Sequence, residues 1–278
     1  AAYFKYGYLL FITLEPCPQA HDIFKRFAKV FEQTYTRFLD LKKAEAQAKE
    51  AEIELALERI RARTMAMHKS DELPGVATIV FEKLRELSFS VIEGAVVILI
   101  FKEGSRDYTQ WIADPGHTYP NYFFIPYSEH TFSVDLTSAK ENGEEYFSKL
   151  YPFEEKNEYF NYLFQNTDYK ILPDEVKKLM LSSEHYGISV AFGKNSAIVI
   201  PTNNGKLLTE DEAKILKRFT RVFEQSYIRF LDLQKAEAQA REAQIEASLE
   251  RVRNKTMAMH TSEDVATAVQ TMFSELTK

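Results

Sequence analysis

The side chains best suited to build a small-molecule site are aromatic and lie in the middle of the chain. Fifteen Tyr and Phe residues fall between positions 119 and 169. A tyrosine offers a large apolar ring together with a hydroxyl group, and ligand pockets are largely apolar with a few placed polar groups. Glu129 is a further polar candidate. We therefore predict a ligand site formed by the residues Trp111, Tyr119, Tyr122, Phe124, His130, Tyr146 and Tyr162.

An aromatic core that is packed shut and binds nothing would have the same composition, so that alternative stays open. Catalytic chemistry has less support. Asp107, Asp114, Glu129 and Asp135 are expected at strand ends and in loops, and no spacing pairs them for acid–base work or metal binding. The sequence contains no His-x-x-x-His pair, nucleophile elbow or glycine-rich phosphate loop. We predict no catalytic residue and no metal site, and the sequence identifies no cofactor.

Charge and composition exclude several classes of function. The 278 residues carry 35 basic and 41 acidic side chains, and a formal net charge of -6 provides no global positive field for nucleic acid. The longest purely apolar stretch, 95–101, is far shorter than the roughly 20 residues of a membrane-spanning helix. Cys17 is the only cysteine, which excludes an intrachain disulfide and a cysteine metal cluster and favours a reducing cytoplasm.

An internal repeat with an offset of 192 residues organises the chain. Residues 25–33 have the sequence KRFAKVFEQ, and residues 217–225 have the sequence KRFTRVFEQ. The match continues without a gap to TMAMH, which occurs at 64–68 and again at 256–260. A repeat of this period indicates an array of similar units, each about as long as a domain.

The repeat also suggests what the two ends of the chain are. Residues 2–13 resemble the strand–turn–strand pattern of 191–202, so we expect the tail of a preceding unit there, with strand edges that favour swapping. Residues 265–276 correspond to 73–84, the helix that opens the central unit. We predict a tail at 1–19, a linker helix at 20–69, a complete domain at 70–208, a second linker helix at 209–261 and the start of a following unit at 262–278.

Residues 20–68 contain no Gly or Pro and are dense in strong helix formers, which predicts one long helix. Side chains spaced 4, 3, 4 and 3 residues apart along it are typical of the a/d seam of a coiled coil, and the second linker repeats them. An alanine stripe at 44–51 lies out of phase with this seam; helix propensity explains it, and a second packing seam is the alternative. We predict a parallel homodimer through the seam residues Ile53, Leu57, Ile60, Met67, Ile245, Leu249, Val252 and Met259.

Between the two linkers, the pattern predicts an α+β domain. Strands at 95–101 and 108–113 flank a turn at 103–105, and strands at 186–192 and 197–201 flank a turn at 193–195. Thr209 and Glu212 have the spacing of a capping box, which predicts the start of the second long helix. A helix, antiparallel strands, intervening helices, strands and a helix follow one another, which is not a regular βαβ order.

In this order of elements, residues 70–230 resemble a GAF domain, a small ligand-binding module of signalling proteins. The resemblance rests on the opening helix, the central strand, the late hairpin and the sequence LTEDEA at 208–213, which precedes a helix that leaves as a coiled coil. The linker sequence KAEAQAREAQIE at 235–246, followed by TMAMH, is similar to the connecting helices of Bacteroidetes-type sensor proteins. In those proteins, GAF-like units precede a histidine kinase or another output domain.

The resemblance implies a GAF-like antiparallel sheet flanked by helices. It also implies a non-catalytic cytoplasmic sensor that binds a small molecule or a neighbouring domain and relays its state through a dimeric coiled coil to an output domain. A structural spacer or protein-interaction module without a small-molecule ligand is the alternative. The Asn-Lys…Phe…Asp-Glu signature of cyclic-nucleotide GAF domains cannot be placed here, and Cys17 lies outside the complete unit, whereas phytochrome-like GAF domains attach a bilin through a cysteine inside the domain.

His68 and His260 occupy equivalent positions where a helix is expected to break, which suggests phosphate acceptors. A histidine-kinase acceptor is followed by an acidic residue and an Arg-Thr-Pro-like turn, whereas KSD and TSE follow here. We therefore interpret both histidines as polar hinge residues at a helix C-terminus, where the helix dipole favours a positive charge.

Overall fold

The computed structural model describes residues 1–87, 89, 96–113, 122–260 and 264–276. The chain divides into two compact units, residues 1–56 and residues 57–278. The boundary between them lies inside a long helix, α1, at His21–Met65. This helix confirms the prediction of a continuous helix over 20–68, while the predicted domain bounds stay a prediction.

The first unit consists of a small hairpin and most of α1. The strands β1 (Ala2–Phe4) and β2 (Gly7–Leu9) pair in antiparallel register, as the strand–turn–strand pattern predicts. Phe4 makes an edge contact with Phe31 of α1 at 5.3 Å between ring centroids, and Phe11 stacks on Phe24 at 4.1 Å. Aromatic contacts therefore hold the hairpin segment to one face of the helix.

The second unit contains the end of α1 and a six-stranded sheet flanked by helices. Short 3-10 turns lie at Ser70–Glu72 and Asp168–Ile171. The remaining elements are α2 (Leu73–Glu86), β3 (Val96–Phe101), β4 (Tyr108–Ala113), β5 (Tyr122–Ile125), α3 (Thr131–Glu141), β6 (Tyr146–Pro152), α4 (Phe153–Asn166), α5 (Asp174–Ser182), β7 (His185–Phe192), β8 (Ser196–Thr202), α6 (Glu210–Met257) and α7 (Asp264–Leu276).

The sheet is antiparallel throughout, with the strand order β5-β4-β3-β8-β7-β6. This order confirms the predicted α+β class. The apolar run predicted at 95–101 forms the interior strand β3 between β4 and β8, although residue 95 lies outside the described residues. The late hairpin is β7 and β8. Their turn lies at 193–195, as predicted.

Successive side chains of a strand point to opposite faces of the sheet, and each face of this sheet packs against a different layer of helices. Val97, Leu99 and Phe101 of β3 belong to an aromatic-rich core with residues of α3 and α4. On the other side, α2 contacts β4, and α6 contacts β7 and β8. The sheet therefore separates an aromatic layer from the layer that contains the long helix α6.

The helix α6 begins at the predicted capping box. The Thr209 backbone N–H donates to Glu212 Oε2 at 2.8 Å, and the Glu212 backbone N–H donates back to Thr209 Oγ1 at 3.4 Å. Both bonds satisfy backbone N–H groups that the first helical turn leaves unpaired. The apolar face that follows buries Leu216, Phe219 and Phe223 completely.

The end of α1 and the turn after it contact α6. Thr64 Oγ1 lies 2.5 Å from Ser226 Oγ, and the backbone N–H and hydroxyl of Ser70 donate to Glu237 at 2.9 and 2.7 Å. Glu72, at the end of this turn, accepts the backbone N–H of His68 at 3.0 Å. The hinge predicted near His68 is therefore an ordered junction held by hydrogen bonds.

The first half of the predicted seam is packed inside a single chain. Leu57, Ile60 and Met67 are fully buried, and Thr64 of the same stripe contacts α6. Ile53 is buried as well. An a/d pattern requires a facing helix, and at Thr64 that helix is α6 of the same chain. A dimer through these residues would have to displace this packing, and the homodimer stays a prediction.

The second half of the seam is more open. Ile245 and Leu249 are exposed, and Val252 and Met259 are half-buried. These residues repeat the buried positions of the first half at the offset of 192 residues. The same sequence pattern therefore occurs in two different surroundings.

Replacing Phe219 with Ala should lower the free energy of unfolding of the second unit by about 3–5 kcal/mol, because the ring is completely buried and its removal leaves a cavity. Phe27 is the repeat equivalent and is 59% exposed, so Phe27→Ala is the matched control and should cost about 1 kcal/mol or less. Urea unfolding of dilute protein measures both values. Equal losses in the two variants would contradict the packing described for α6.

Candidate functional site

The predicted ligand residues are divided between the two faces of the sheet. In β4 and β5, Trp111 lies opposite Tyr122, and Thr109 lies opposite Phe124, so these side chains share one face. Tyr122 and Phe124 are exposed, whereas Phe123 between them is buried on the other face. The alternation of a strand therefore places Trp111, Tyr122 and Phe124 away from the aromatic layer.

Two of the predicted residues do meet in the aromatic layer. The rings of His130 and Tyr162 lie 4.6 Å apart between centroids, at the start of α3 and within α4. His130 Nδ1 is also 3.2 Å from Ser128 Oγ. The pair joins two helices and presents a polar group beside the aromatic cluster.

Tyr146 does not join this pair among the described residues. Tyr146 lies opposite Ala191 in the pairing of β6 with β7, while its neighbour Phe147 lies opposite Val190 of the aromatic-rich core. Among the residues that the structure describes, the buried Tyr146 hydroxyl has no hydrogen-bond partner. Tyr119 lies outside the described residues. The predicted site is therefore not one pocket among the residues described.

The aromatic layer is packed ring against ring. Phe132 stacks on Tyr159 at 4.6 Å, and the hydroxyl oxygens of Tyr159 and Tyr108 lie 3.2 Å apart. Tyr169 contacts Phe123 at 4.8 Å, and its hydroxyl accepts a hydrogen bond from the amide of Gln110. Such contacts are the arrangement expected of an aromatic core in which the tyrosine hydroxyls find partners.

The buried tyrosines of this layer remain protonated at neutral pH. Burial raises the pKa of Tyr108 to about 12, although its hydrogen bond with Tyr159 opposes this shift. Burial also raises the pKa of Tyr159 and Tyr186 well above the usual value. For Tyr151, the charge of Asp135 adds to the effect of burial and raises the pKa further. These hydroxyls can donate or accept hydrogen bonds, but they do not supply a phenolate.

Two of the acidic residues that the sequence left unpaired, Asp107 and Asp135, take part in structural contacts, and Asp114 lies outside the described residues. Asp135 lies inside α3, which corrects its predicted place in a loop or at a strand end. Its Oδ2 accepts hydrogen bonds from Lys149 Nζ at 2.6 Å and from the Tyr151 hydroxyl at 3.1 Å. Asp107, immediately before β4, accepts the backbone N–H of Tyr127 at 2.8 Å. These bonds join α3 to β6 and order the segment after β5.

Glu224 of α6 is the most informative polar residue that sequence reasoning missed. This carboxylate is buried and accepts the backbone N–H of Asn195 at 3.0 Å, the Asn195 side-chain amide at 2.7 Å and the Ser196 hydroxyl at 2.5 Å. A Cβ atom on Gly193 would lie only 2.5 Å from Glu224 Oε2, so the turn must approach the helix without a side chain at that position. We name Glu224, Asn195 and Ser196 the Glu224 clamp.

The clamp has a counterpart in the first unit. Glu32 is the repeat equivalent of Glu224, and its Oε2 accepts the backbone N–H of Lys5 at 3.2 Å in the turn between β1 and β2. In both copies a glutamate of the long helix thus holds the turn of a hairpin. The identity of this glutamate in the two repeat segments is the sequence signal that could have identified it.

An open groove lies beside the turn between β3 and β4. It has a volume of about 330 Å³ and is lined by Phe124, Thr109 and Asp107 of the sheet region and by Tyr227 of α6. Burial is the main cause that raises the pKa of Tyr227. Of the predicted ligand residues, Phe124 is the one that lines this groove. The groove therefore joins an exposed aromatic residue of the sheet to the long helix.

Metal centres and membrane-spanning helices are two further features that the described part of the chain could contain. Within it, His, Cys, Asp and Glu side chains do not form a group of three or more that could hold a metal ion. None of the helices there is both long enough and apolar enough to span a membrane.

The comparisons with known proteins give structural similarity alone. No family model and no curated protein matches the chain. A crystal structure of a phycoerythrobilin-bound GAF domain from a cyanobacterial phytochrome is similar with a TM-score of 0.39 and 11% sequence identity, and the match covers 64% of this chain and 95% of that one. A bacteriophytochrome from the photosynthetic bacterium R. palustris matches with a TM-score of 0.42 and 10% identity, and the match covers 81% of this chain and 46% of that one.

The raised pKa of the buried tyrosines predicts a loss of stability in alkaline solution. A group whose pKa is higher in the folded state stabilises the fold below its unfolded value, about 10 for tyrosine, and this contribution is lost as the pH rises through the folded value. Stability measured by thermal unfolding should therefore decrease less steeply above pH 10 in Tyr159→Phe, which lacks one such hydroxyl. Superimposable profiles of stability against pH for this variant and the original chain would contradict the raised pKa of Tyr159.

Proposed function

We propose that this chain is a non-catalytic, GAF-like sensory and signal-transmitting module of the cytoplasm. In this proposal, a small molecule or a neighbouring domain changes the state of the central sheet, and α6 carries that change toward an output domain such as a histidine kinase. A parallel homodimer through the long helices is part of the proposal. The order of the elements and the linker sequence support it.

The Glu224 clamp is the observation that carries this proposal. A buried carboxylate is costly unless hydrogen bonds compensate it, so the three bonds to Asn195 and Ser196 resist separation of the hairpin from α6. The helix continues from this point to Met257. A movement of the hairpin would therefore be transmitted to a helix that extends far beyond the sheet.

The groove at the turn between β3 and β4 is the site that we propose for the small molecule. A ligand there would contact Phe124 on the sheet and Tyr227 on α6, three residues beyond Glu224. Its aromatic rings offer apolar surface, and Asp107 and Thr109 offer polar groups. The ligand would act as a signal if it bound one arrangement of sheet and helix more tightly than another.

A structural spacer remains the second candidate, because one observation favours it. Tyr159 contacts both Phe132 and Tyr108 directly, as it would in a core without a ligand. In that case the domain would set the orientation of the helices without binding a small molecule. The two candidates differ in whether purified protein retains or takes up a ligand.

Native mass spectrometry of the whole chain tests the sensory proposal. We expect a dimer with additional mass from a retained small molecule, and we expect Phe124→Ala to lose that mass because the ring lines the groove. Tyr122→Ala is the matched control, since Tyr122 is also exposed on β5, on the same face of the sheet, but does not line the groove. This variant should retain the ligand.

If the protein is purified from several expression hosts and never carries a bound small molecule, the ligand-binding part of the proposal is contradicted and the spacer is favoured. A monomer would contradict the dimeric coiled coil. Retention of the ligand by Phe124→Ala would place the site outside the groove.

A further inference from the structure

The peptide group between Lys194 and Asn195 is held at both of its ends by charged side chains. It lies in the turn between β7 and β8, and its two partners come from helices on opposite sides of the sheet. The Lys194 carbonyl accepts a hydrogen bond from Lys140 Nζ of α3 at 3.0 Å. The Asn195 backbone N–H donates to Glu224 Oε1 of α6 at 3.0 Å. One peptide group therefore connects the aromatic layer to the long helix.

The signs of the two charges match the dipole of this peptide group. The oxygen end of a peptide dipole is negative and faces the ammonium group, whereas the N–H end is positive and faces the carboxylate. Hydrogen bonds in such a chain polarise one another, and bonds to ionised groups are stronger than bonds between neutral groups. Each bond is therefore expected to strengthen the other. We name Lys140, the peptide group 194–195 and Glu224 the Lys140–Glu224 bridge.

The two charged groups also act on each other across the peptide group. Burial lowers the pKa of Lys140, and the negative charge of Glu224 opposes this shift. Glu224 is buried and Lys140 is half-buried, so solvent ions screen their interaction less than they would screen a surface pair. The electrostatic energy of each side chain thus depends on the position of the other.

Phe101 of the interior strand β3 supports both Lys140 and the turn. Lys140 Nζ lies 4.0 Å from the centroid of the Phe101 ring, and such a ring attracts a cation. The Phe101 backbone N–H donates to the Asn195 carbonyl at 2.8 Å. Lys140 is therefore held beside the turn by the sheet as well as by the Lys194 carbonyl.

A second connection between the region after α3 and the helix α6 lies at the surface. Glu145, immediately before β6, is 3.4 Å from Arg221 and 3.7 Å from Lys217 of α6. The Glu145 side chain is 65% exposed, and exposed ion pairs contribute little to stability. The Lys140–Glu224 bridge is therefore the stronger of these two connections.

The helix α3 reaches from this bridge to a predicted ligand residue. Lys140 lies in the last turn of α3, and His130 is the residue that precedes its first turn. The His130 ring lies 4.6 Å from the Tyr162 ring between centroids. The 11 residues of α3 span about 16 Å as one helix, so a displacement at His130 would move Lys140 as well.

We propose that Lys140 is a positioning residue of the Glu224 clamp, and that the Lys140–Glu224 bridge makes α6 respond to the position of α3. The aromatic layer then provides an input to α6 in addition to the groove at the turn between β3 and β4. This coupling goes beyond the proposed function, because it requires neither a ligand nor a dimer. Each charged side chain should change the hydrogen bond that the other makes, although the two contact different atoms of the peptide group.

Nuclear magnetic resonance of the whole chain, labelled with carbon-13 at lysine carbonyls and nitrogen-15 in asparagine, observes this peptide group directly. Signals arise from Lys–Asn peptide bonds, and the sequence contains two, at 156–157 and 194–195. Lys140→Met keeps a long side chain beside Phe101 and removes the charge. The Asn195 amide proton should then shift upfield, because its bond to Glu224 weakens. Glu224→Gln should shift the Lys194 carbonyl carbon upfield, because the bond from Lys140 weakens.

Lys140→Arg keeps the positive charge and should leave the Asn195 amide proton near its original position. Lys178→Met and Glu145→Gln are the matched controls, since both side chains are exposed and lie outside the bridge, and neither should shift the two signals. The 156–157 signal is the internal reference. An Asn195 amide proton that does not move in Lys140→Met, or that moves equally in Lys140→Arg, would overturn the proposal.

Hydrogen exchange followed by mass spectrometry shows whether α6 responds to Lys140. Residues 216–227 should exchange about fivefold faster in Lys140→Met, as expected for weakening of a hydrogen bond to a charged group, and should be unaffected in Lys140→Arg. Adding Lys140→Met to Glu224→Gln should accelerate exchange less than it does in the original chain, because the bridge is already weakened. Circular dichroism checks that every variant folds. Unchanged exchange in α6, or two effects that simply multiply in the double variant, would contradict the coupling of α3 to α6.

Discussion

The apolar face of α6 has to be covered from two sides, and the rest of the second unit depends on this constraint. Leu216, Phe219 and Phe223 are completely buried along this face. The hairpin of β7 and β8 contacts α6, as do α2 and the junction after α1. Because densely packed interiors do not deform continuously, the sheet and the entering helix cannot change their positions independently of α6.

The Glu224 clamp fixes the position of α6 relative to the hairpin turn more closely than apolar packing does. Apolar contacts tolerate small rotations of a helix, whereas a buried carboxylate with three donors is satisfied in few positions. The hairpin turn and α6 are therefore fixed in register. The related bond between Glu32 and Lys5 indicates that the first unit uses the same device. Each repeat unit thus joins a hairpin to a long helix in a defined way.

Local patterns predicted much of the fold, because they depend on neighbouring residues alone. The long helices, the late hairpin and the capping box at Thr209 all follow from such patterns. The distribution of the predicted ligand residues over the two faces of the sheet did not, since Tyr122 and Phe124 lie close to Phe123 in sequence but on the opposite face of β5. An a/d stripe likewise predicts a facing helix without showing which chain supplies it. Glu224 could have been recognised only from the repeat.

Hydrogen exchange followed by mass spectrometry in Glu224→Gln tests most directly whether the clamp couples the hairpin to α6. We expect faster exchange both in the turn at 193–197 and in the buried part of α6 at 216–227, with no change in residues 1–41. Glu32→Gln, the repeat equivalent, should exchange faster in residues 1–41 and should leave exchange at 193–197 and 216–227 unchanged. If the turn at 193–197 exchanges faster in Glu224→Gln while exchange in α6 does not change, the coupling between the hairpin and α6 is contradicted.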